Sequence, residues 1–268
     1  MAFITALLMR KTKSRHFCRG GGIITSLEAF KAIPSYLFGY WLSKNAIGNF
    51  LKDKVSNHFI TREGMVTSDN DLYLRLWHEV CKSRICFNAT DYIFAVYTGM
   101  KWFPYNKGGD FRRWYGNNEY VVNWYLDGKE IKSSIDEKTN RIRSHNYNDS
   151  FAFLEGITWS KISSGMFSAR LSEKGFMFDT AGTKMFLIEN DKTGYLYPVA
   201  FINSKVAQYY LTAISPTLNN KPGDILHLPF LTLEKDRVDM LSEKSIDISK
   251  ADWDSFETSW DFKKHPLI

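Results

Sequence analysis

From about residue 84 to residue 200 the chain is cut into short runs of Val, Ile, Phe, Tyr and Trp, with Gly, Asn and Asp between them. YIFAVYTG, EYVVNWYLDGKEIK, GITWSKIS, GMFSARLS, GFMFDT and GYLYPVAFI all have the β-branched and aromatic density of strands. The composition, ordinary for a globular chain, rules out collagen-like, coiled-coil and disordered classes. Asp127-Gly128, between two such runs, predicts a hairpin turn.

Helical signals flank this region. Ser26 can cap a short helix with Glu28 in its first turn, and Pro34 breaks it. Residues 35–54 predict a longer amphipathic helix, with Leu37, Trp41, Leu42, Ile47, Phe50 and Leu51 near helical spacing. Residues 57–66 read as extended. Asp69 can cap the next turn, followed by Leu72, Leu74, Leu76, Trp77 and Val80. Residues 133–150 are polar and predict a loop. Asn203 to Ile214 predict a helix, and Pro216, Pro222 and Pro229 punctuate the residues beyond it. The expected class is α+β, a mixed, strand-rich curved sheet with flanking helices.

The chain has 268 residues, 44% of them apolar and 24% charged, enough for one or two folded domains. The net charge is +6, and it is unevenly placed. Residues 1–25 hold five basic residues and no acid, whereas residues 231–268 hold six basic against nine acidic. Net charge is therefore a poor reason to expect an anionic partner, because residues 26–268 are almost neutral. Three cysteines, no C-x-x-C and no H-x3-H argue against a disulfide framework or structural zinc and fit a reducing, cytoplasmic location. No apolar run approaches the length of a membrane span.

Catalytic fingerprints are missing from the sequence. It has no G-x-x-x-x-G-K-[ST], no G-x-G-x-x-G after a strand and no G-x-S-x-G. No two prolines are adjacent, so there is no Asn-Pro-Pro-Tyr motif of the kind used by amino-methyltransferases. Asp110 with Glu130 and Lys132 is a nuclease-like pattern, but an E-x-K triplet on a strand is ordinarily a solvated charge pair.

The most informative stretch is KWFPYNKGGDFRRWYGNNEYVVNWY, residues 101–125. Lys101, Lys107, Arg112 and Arg113 alternate with planar side chains, and Asn106, Asn117 and Asn118 add amides. Arg matches guanine edges, Asn matches adenine, and Lys or Arg pairs with phosphate. Gly108-Gly109 lets backbone amides approach a phosphate. A surface loop over an aromatic satellite of the core is the alternative reading of this stretch, and Arg62 and Asn70 sit in the other loop. These nine residues are the DNA-binding candidates; no catalytic, cofactor-binding or metal-ligating residue is expected.

This stretch strongly resembles the family of adenine-specific DNA methyltransferases of bacterial BREX phage-defence systems, the PglX family. The resemblance extends to IPSYLFGYWLS (33–43), REGMVTSDNDLYLRLWHEV (62–80) and GITWSKISSGMFSARLSEKGFMFDTAG (156–182). It continues through INSKVAQYYLTAISPTLNNKPGDILHLPF (202–230) and DWDSFETSWDFKKHPLI (252–268), and covers about residues 26–268. The layout is also similar to the target-recognition domains of type I restriction specificity subunits. An R-x-G-x-x-T-like turn spans Arg62 to Thr67, an L-N-S-like triplet stands at Ile202-Asn203-Ser204, and a short closing strand is expected from Asp224 to Pro229.

The resemblance implies an internal piece of a larger enzyme, with the S-adenosylmethionine-binding catalytic domain upstream. The expected organisation is a divergent basic tail (1–25), a helical lead-in (26–56), a DNA target-recognition domain (57–232) and the acidic start of a following segment (233–268). The expected partner is double-stranded DNA, with no cofactor in this chain and no methyl transfer by it alone. The alternatives are a protein-interaction or decoy piece binding other BREX components or the separate methyltransferase part, or a remnant of a split gene. The acidic end, with Trp253, Phe256, Trp260 and Phe262, would then be an exposed docking patch.

Overall fold

The computed structural model describes residues 31–34, 41–145, 147–163, 165–215 and 217–268. The basic tail, the helix expected from Ser26 and the first part of the 35–54 helix fall largely outside these residues.

Helix α1 (Lys44–Asn49) starts at Ser43, whose Oγ accepts from the Ala46 amide at 3.2 Å. Strand β1 (Phe59–Arg62) follows. Asp69 caps the short α2 (Asn70–Tyr73) as its spacing predicts, accepting from the Leu72 amide at 3.0 Å, and β2 (Leu74–Leu76) runs directly on. Next come α3 (Tyr92–Thr98), β3 (Trp102–Asn106), β4 (Tyr120–Asn123) and α4 (Tyr125–Lys132). Strands β5 (Gly156–Trp159), β6 (Ala169–Ser172), β7 (Met177–Phe178) and β8 (Lys184–Leu187) complete the strand region. Four helices end the chain: α5 (Leu196–Asn203), α6 (Lys205–Ile214), α7 (Pro222–Leu226) and α8 (Lys235–Trp253).

The class is α+β, and among the described residues the strands are divided between two four-stranded sheets. The first, ordered β1-β8-β5-β6, is antiparallel throughout. β5 lies between two partners and is buried along its length. Ile157, Trp159, Phe59 and Met185 share a core with Phe50, Val199, Ile202, Tyr210 and Ile225 from the helices. The second sheet, β2-β4-β3-β7, is mixed, because β3 and β7 run parallel. Its core gathers Phe103, Tyr105, Val122, Trp124, Ile131 and Phe153. Pro104 sits in β3, which has a neighbour on each side, yet β7 pairs only from Tyr105 onward. The missing Pro N–H therefore leaves no ladder bond broken.

Several expectations are corrected. YIFAVYTG is helix α3, not a strand. The Asp91 carboxylate accepts from the Phe94 amide at 2.8 Å, and Gly99 ends the helix at φ 62. Capping at both ends overrides the β propensity of the residues between. GYLYPVAFI is α5, where Pro198 falls within the first turn and its missing N–H has no intrahelical acceptor to satisfy. Asp127-Gly128 makes no hairpin. β4 already pairs with β2 on one edge and β3 on the other, so it has no edge for a third strand. Leu126, Asp127 and Gly128 are instead all left-handed, at φ 49, 60 and 67, and lead into the last turns of α4. Glu130 and Lys132 therefore stand on a helix, not on a strand.

The helix expected over 203–214 is α6, which starts two residues later at Lys205 because Ser204 caps it by accepting from the Ala207 amide. The closing strand expected at 224–229 is α7 followed by one antiparallel bridge between Lys54 and Pro229. The expected helical pattern after Asp69 stops at Tyr73 and gives way to β2. At the acidic end, α8 packs along α5. Trp253 is 7% exposed, and the Trp260 ring lies 5.1 Å from Phe87 and 5.8 Å from Phe176. The four aromatics expected as a patch are thus not exposed together. Among the described residues, no helix is long and apolar enough to cross a membrane.

Candidate nucleic-acid interface

The two sheets meet where β3 and β7 end side by side. Beyond Asn106 the chain enters the Lys107-Gly108-Gly109 turn, and beyond Phe178 it enters Asp179-Thr180-Ala181-Gly182. The Asp179 amide donates to the Asn106 carbonyl at 2.9 Å, continuing the parallel pairing. Gly108 and Gly109 have φ of 94 and 123. A Cβ on Gly182 would lie 2.3 Å from the Asn106 carbonyl oxygen, so only glycine permits this approach.

Asp179 organises the junction. Its carboxylate accepts from Lys107 Nζ at 2.6 Å and from the Ala181 amide at 2.6 Å. The Tyr105 hydroxyl lies 3.1 Å from both Asp179 Oδ2 and the Met65 carbonyl. Burial, and then the Asp179 charge, push the Tyr105 phenol well above its usual range, so it remains a proton donor. Asn70 Oδ1 accepts from Thr67 Oγ1 at 2.7 Å and stands 3.3 Å from Lys107 Nζ. Two predicted residues, Asn70 and Lys107, are thereby brought together although 37 positions separate them.

Lys107 stands on the wall between two open clefts. One, of about 380 Å3, is lined by Gly108, Ser160, Lys161, Thr180 and Asn219 beside it. The other, of about 440 Å3, is lined by Asn70, Arg75, Glu79 and Tyr120. Loops from both sheets therefore converge on one lysine.

The remaining candidates have other surroundings. Asn106 is buried, and its amide oxygen accepts from Ser172 Oγ at 2.7 Å, tying β3 to β6. Asn118 is also buried. Asn117 adopts φ 59 and donates to the Asp110 carbonyl at 2.9 Å, which closes the loop on itself. Arg112 faces the C-terminal helix: Nη2 is 2.6 Å from Asp252, Nε donates to the Tyr115 carbonyl at 3.0 Å, and the guanidinium lies 4.9 Å from the Trp253 ring. The Arg113 guanidinium lies 5.3 Å from the Phe111 ring. Lys101, at the far end of β3, is 4.0 Å from Glu130. At about 3.3 Å per residue, that places it roughly 20 Å from Lys107. Arg62 covers the Phe151 ring at 4.6 Å.

Sequence reasoning missed Asp179, Lys161, Ser160 and Asn219. Asp179 sits in an ordinary D-T-A-G turn, and nothing in a single sequence joins it to Lys107, 72 positions earlier. Lys161 pairs with Glu63 at 2.5 Å, and Ser160 Oγ donates to the Gly109 carbonyl at 2.7 Å. Among the described residues, no three His, Cys, Asp or Glu side chains converge as a metal site.

No protein-family model matches the chain. Two curated proteins do match it. An adenine-specific methyltransferase PglX of Lacticaseibacillus casei (strain Zhang) is 46% identical over 246 residues, which is 91% of this chain and 20% of that protein. An adenine-specific methyltransferase BrxX of Escherichia coli O9:H4 (strain HS) is 36% identical over 240 residues, 89% of this chain and 18% of that protein. The chain thus spans about a fifth of the length of these relatives, and over nine tenths of its own length it is homologous to one region of the PglX/BrxX adenine-specific methyltransferases.

Proposed function

We propose that this chain is a DNA target-recognition part of a BREX-type adenine-specific methyltransferase. In this reading it binds double-stranded DNA in the cytoplasm and leaves methyl transfer to another part of the enzyme. The observation that carries the reading is the convergence of loops from both sheets on Lys107, with an open cleft on each side. Rigid strands hold these loops, and backbone-approachable glycines, a lysine and amides face the clefts. Phosphate contacts of this kind position a protein on a duplex, and neighbouring side chains then read base edges.

S-adenosylmethionine belongs elsewhere in this reading. Nucleotide-like cofactors are held where a glycine-rich turn joins a strand of a parallel sheet to a helix. Among the described residues, the parallel pairing between strands is the two-residue contact of β3 with β7, beside isolated parallel bridges, and the turns at its end lead to no helix.

A labelled mixed-sequence duplex, titrated with the chain at increasing salt, tests the proposal. The expected result is binding whose log K falls linearly with log salt, by about 0.9 per phosphate neutralised. No binding at low salt, or affinity independent of salt, overturns it. Methylation of adenine by the chain with S-adenosylmethionine would overturn the separation of recognition from catalysis.

One observation favours a second reading, a docking part for the rest of the methyltransferase or for other BREX components. Helix α3 exposes Tyr92, Ile93, Phe94, Val96 and Tyr97, the last at 86%. An apolar helix face of this kind is a common protein contact. Co-purification with the other components, lost on Tyr97→Ser and Ile93→Ser, would support it.

A further inference from the structure

Beside the Lys107 clefts stands a narrow apolar ridge that neither the junction chemistry nor the fold uses. It is built from three loops. The loop after β5 and the segment 217–221 pair as a ribbon: the Ser163 amide donates to the Leu218 carbonyl at 3.0 Å, and the Asn220 amide donates to the Lys161 carbonyl at 2.7 Å. The buried Trp159 pins the ribbon from below, its Nε1 donating to the Asn220 carbonyl at 3.1 Å. At the ribbon's tip Ile162, Leu218 and Met166 are 74%, 62% and 59% exposed. Phe111, from the loop after β3, is 53% exposed and lines the same hollow as Ile162 and Met166.

These tips leave large apolar surface in water, and the backbone bonds between 161–163 and 218–220 set Ile162 and Leu218 side by side. The surroundings indicate what covers them. Lys107 and Lys161, paired with Asp179 and Glu63, line the adjoining cleft, Lys221 is exposed at the base of the ribbon, and the Arg113 guanidinium lies against the Phe111 ring. Asp110 is the carboxylate that lines the hollow. A slim apolar ridge bordered by cations suits the unstacked edge of a base step with a phosphate on each side, because side chains of this type enter DNA between base pairs.

We infer that Ile162, Met166 and Leu218, backed by Phe111, form a wedge that enters a base step of bound duplex DNA and opens the stack. The inference rests on the DNA-recognition reading and deepens it. It gives the chain an active part in the reaction of its relatives, since an enzyme acting on an adenine within a duplex must take that base out of the stack. The wedge loosens the stack, and the catalytic part receives the base.

The test uses a closed-circular plasmid, relaxed by topoisomerase I with the chain bound. Opening base steps unwinds the duplex, so the wild-type chain shifts the recovered topoisomers toward lower linking number. The triple variant Ile162→Ser, Met166→Ser, Leu218→Ser should keep its melting temperature, because all three side chains are largely solvated. It should keep the salt slope of binding and lose the topoisomer shift. Wild-type binding with an unshifted ladder, or a variant that shifts it as far as wild type, overturns the wedge and leaves DNA recognition standing. A wild-type chain that does not bind the plasmid at low salt overturns DNA recognition itself. If the ridge instead joins two copies of the chain, the variant abolishes a dimer while plasmid topology never changes, and the wedge is again overturned.

Discussion

Lys107 Nζ lies 2.6 Å from Asp179 Oδ2, and this contact joins the β3 turn to the β7 turn at the point where the two sheets meet. The pair can be broken by a phosphate, since an anion competes with Asp179 for the same ammonium. Lys107→Ala should weaken duplex binding and reduce the salt slope by about one. A slope unchanged in titrations of wild type and variant would remove Lys107 from the interface.

Arg112 should behave differently. Its guanidinium is committed to Asp252, the Tyr115 carbonyl and the Trp253 face. Arg112→Ala should lower stability by about 1 kcal/mol, mostly through lost packing on Trp253, because the partner Asp252 is largely solvated. Denaturant unfolding would show this, and the salt slope of DNA binding should not move.

Asn203 clasps the edge strand β6. Its side chain accepts from the Ala169 amide at 2.9 Å and donates to the Ala169 carbonyl at 2.9 Å, wholly out of solvent. Asn203→Ala leaves the Ala169 amide unpaired, while the Ala169 carbonyl keeps the Trp114 amide at 3.0 Å, and a buried orphan of this kind costs about 1–3 kcal/mol. The midpoint in denaturant should fall with an unchanged m-value.

His58 is held between two carboxylates, with Nδ1 2.8 Å from Asp191 and Nε2 2.8 Å from Asp53. Burial opposes its charge, but hydrogen bonds to Asp53 and Asp191 outweigh that and raise its pKa above the usual imidazole value. A raised folded-state pKa stabilises fully below the unfolded value of about 6.5, and the benefit is lost as pH rises through the folded pKa. The stability gap between wild type and His58→Asn should therefore be larger at pH 6 than at pH 9. Thermal melts across that range would check it, and a gap that widens with pH would contradict the arrangement.

Lys184 is fully buried in β8, with its Nζ donating to the Leu154 carbonyl. Burial lowers its pKa to about 7, against a small opposing effect of Glu155. The unfolded chain then binds the extra proton between that value and about 10.4, so wild-type stability should gain as pH rises across this window. Lys184→Met removes the titration. The difference between wild type and Lys184→Met should move in favour of wild type from pH 7 to pH 10, read from denaturant midpoints.

Local chemistry carried part of this fold in plain sight. Asp69 caps a helix as its spacing predicts, β1, β5, β6 and β7 lie within runs read as strands, and Ser204 of the Ile-Asn-Ser triplet starts α6. YIFAVYTG and GYLYPVAFI were illegible because aromatic density favours strands in general, while Asp91, Gly99 and the early Pro198 favour helices at these positions. The Asp127-Gly128 turn was illegible for another reason: whether a strand has a free edge is a property of the whole sheet.

The candidate interface divides in the same way. The sequence alone identified a loop of lysines, arginines, amides and paired glycines after β3, together with its kinship to adenine-specific methyltransferases. Burial decided which of those side chains face the clefts. It enclosed Asn106 and Asn118, turned Arg112 toward α8 and left Lys107 between two clefts. It also brought Asp179 to Lys107 and raised Ile162, Met166 and Leu218 on one ridge beside them. Those proximities depend on strand order and on the parallel contact of β3 with β7. Residue type is local, but which residues meet is decided by chain segments tens of positions apart competing for the same sheet edges.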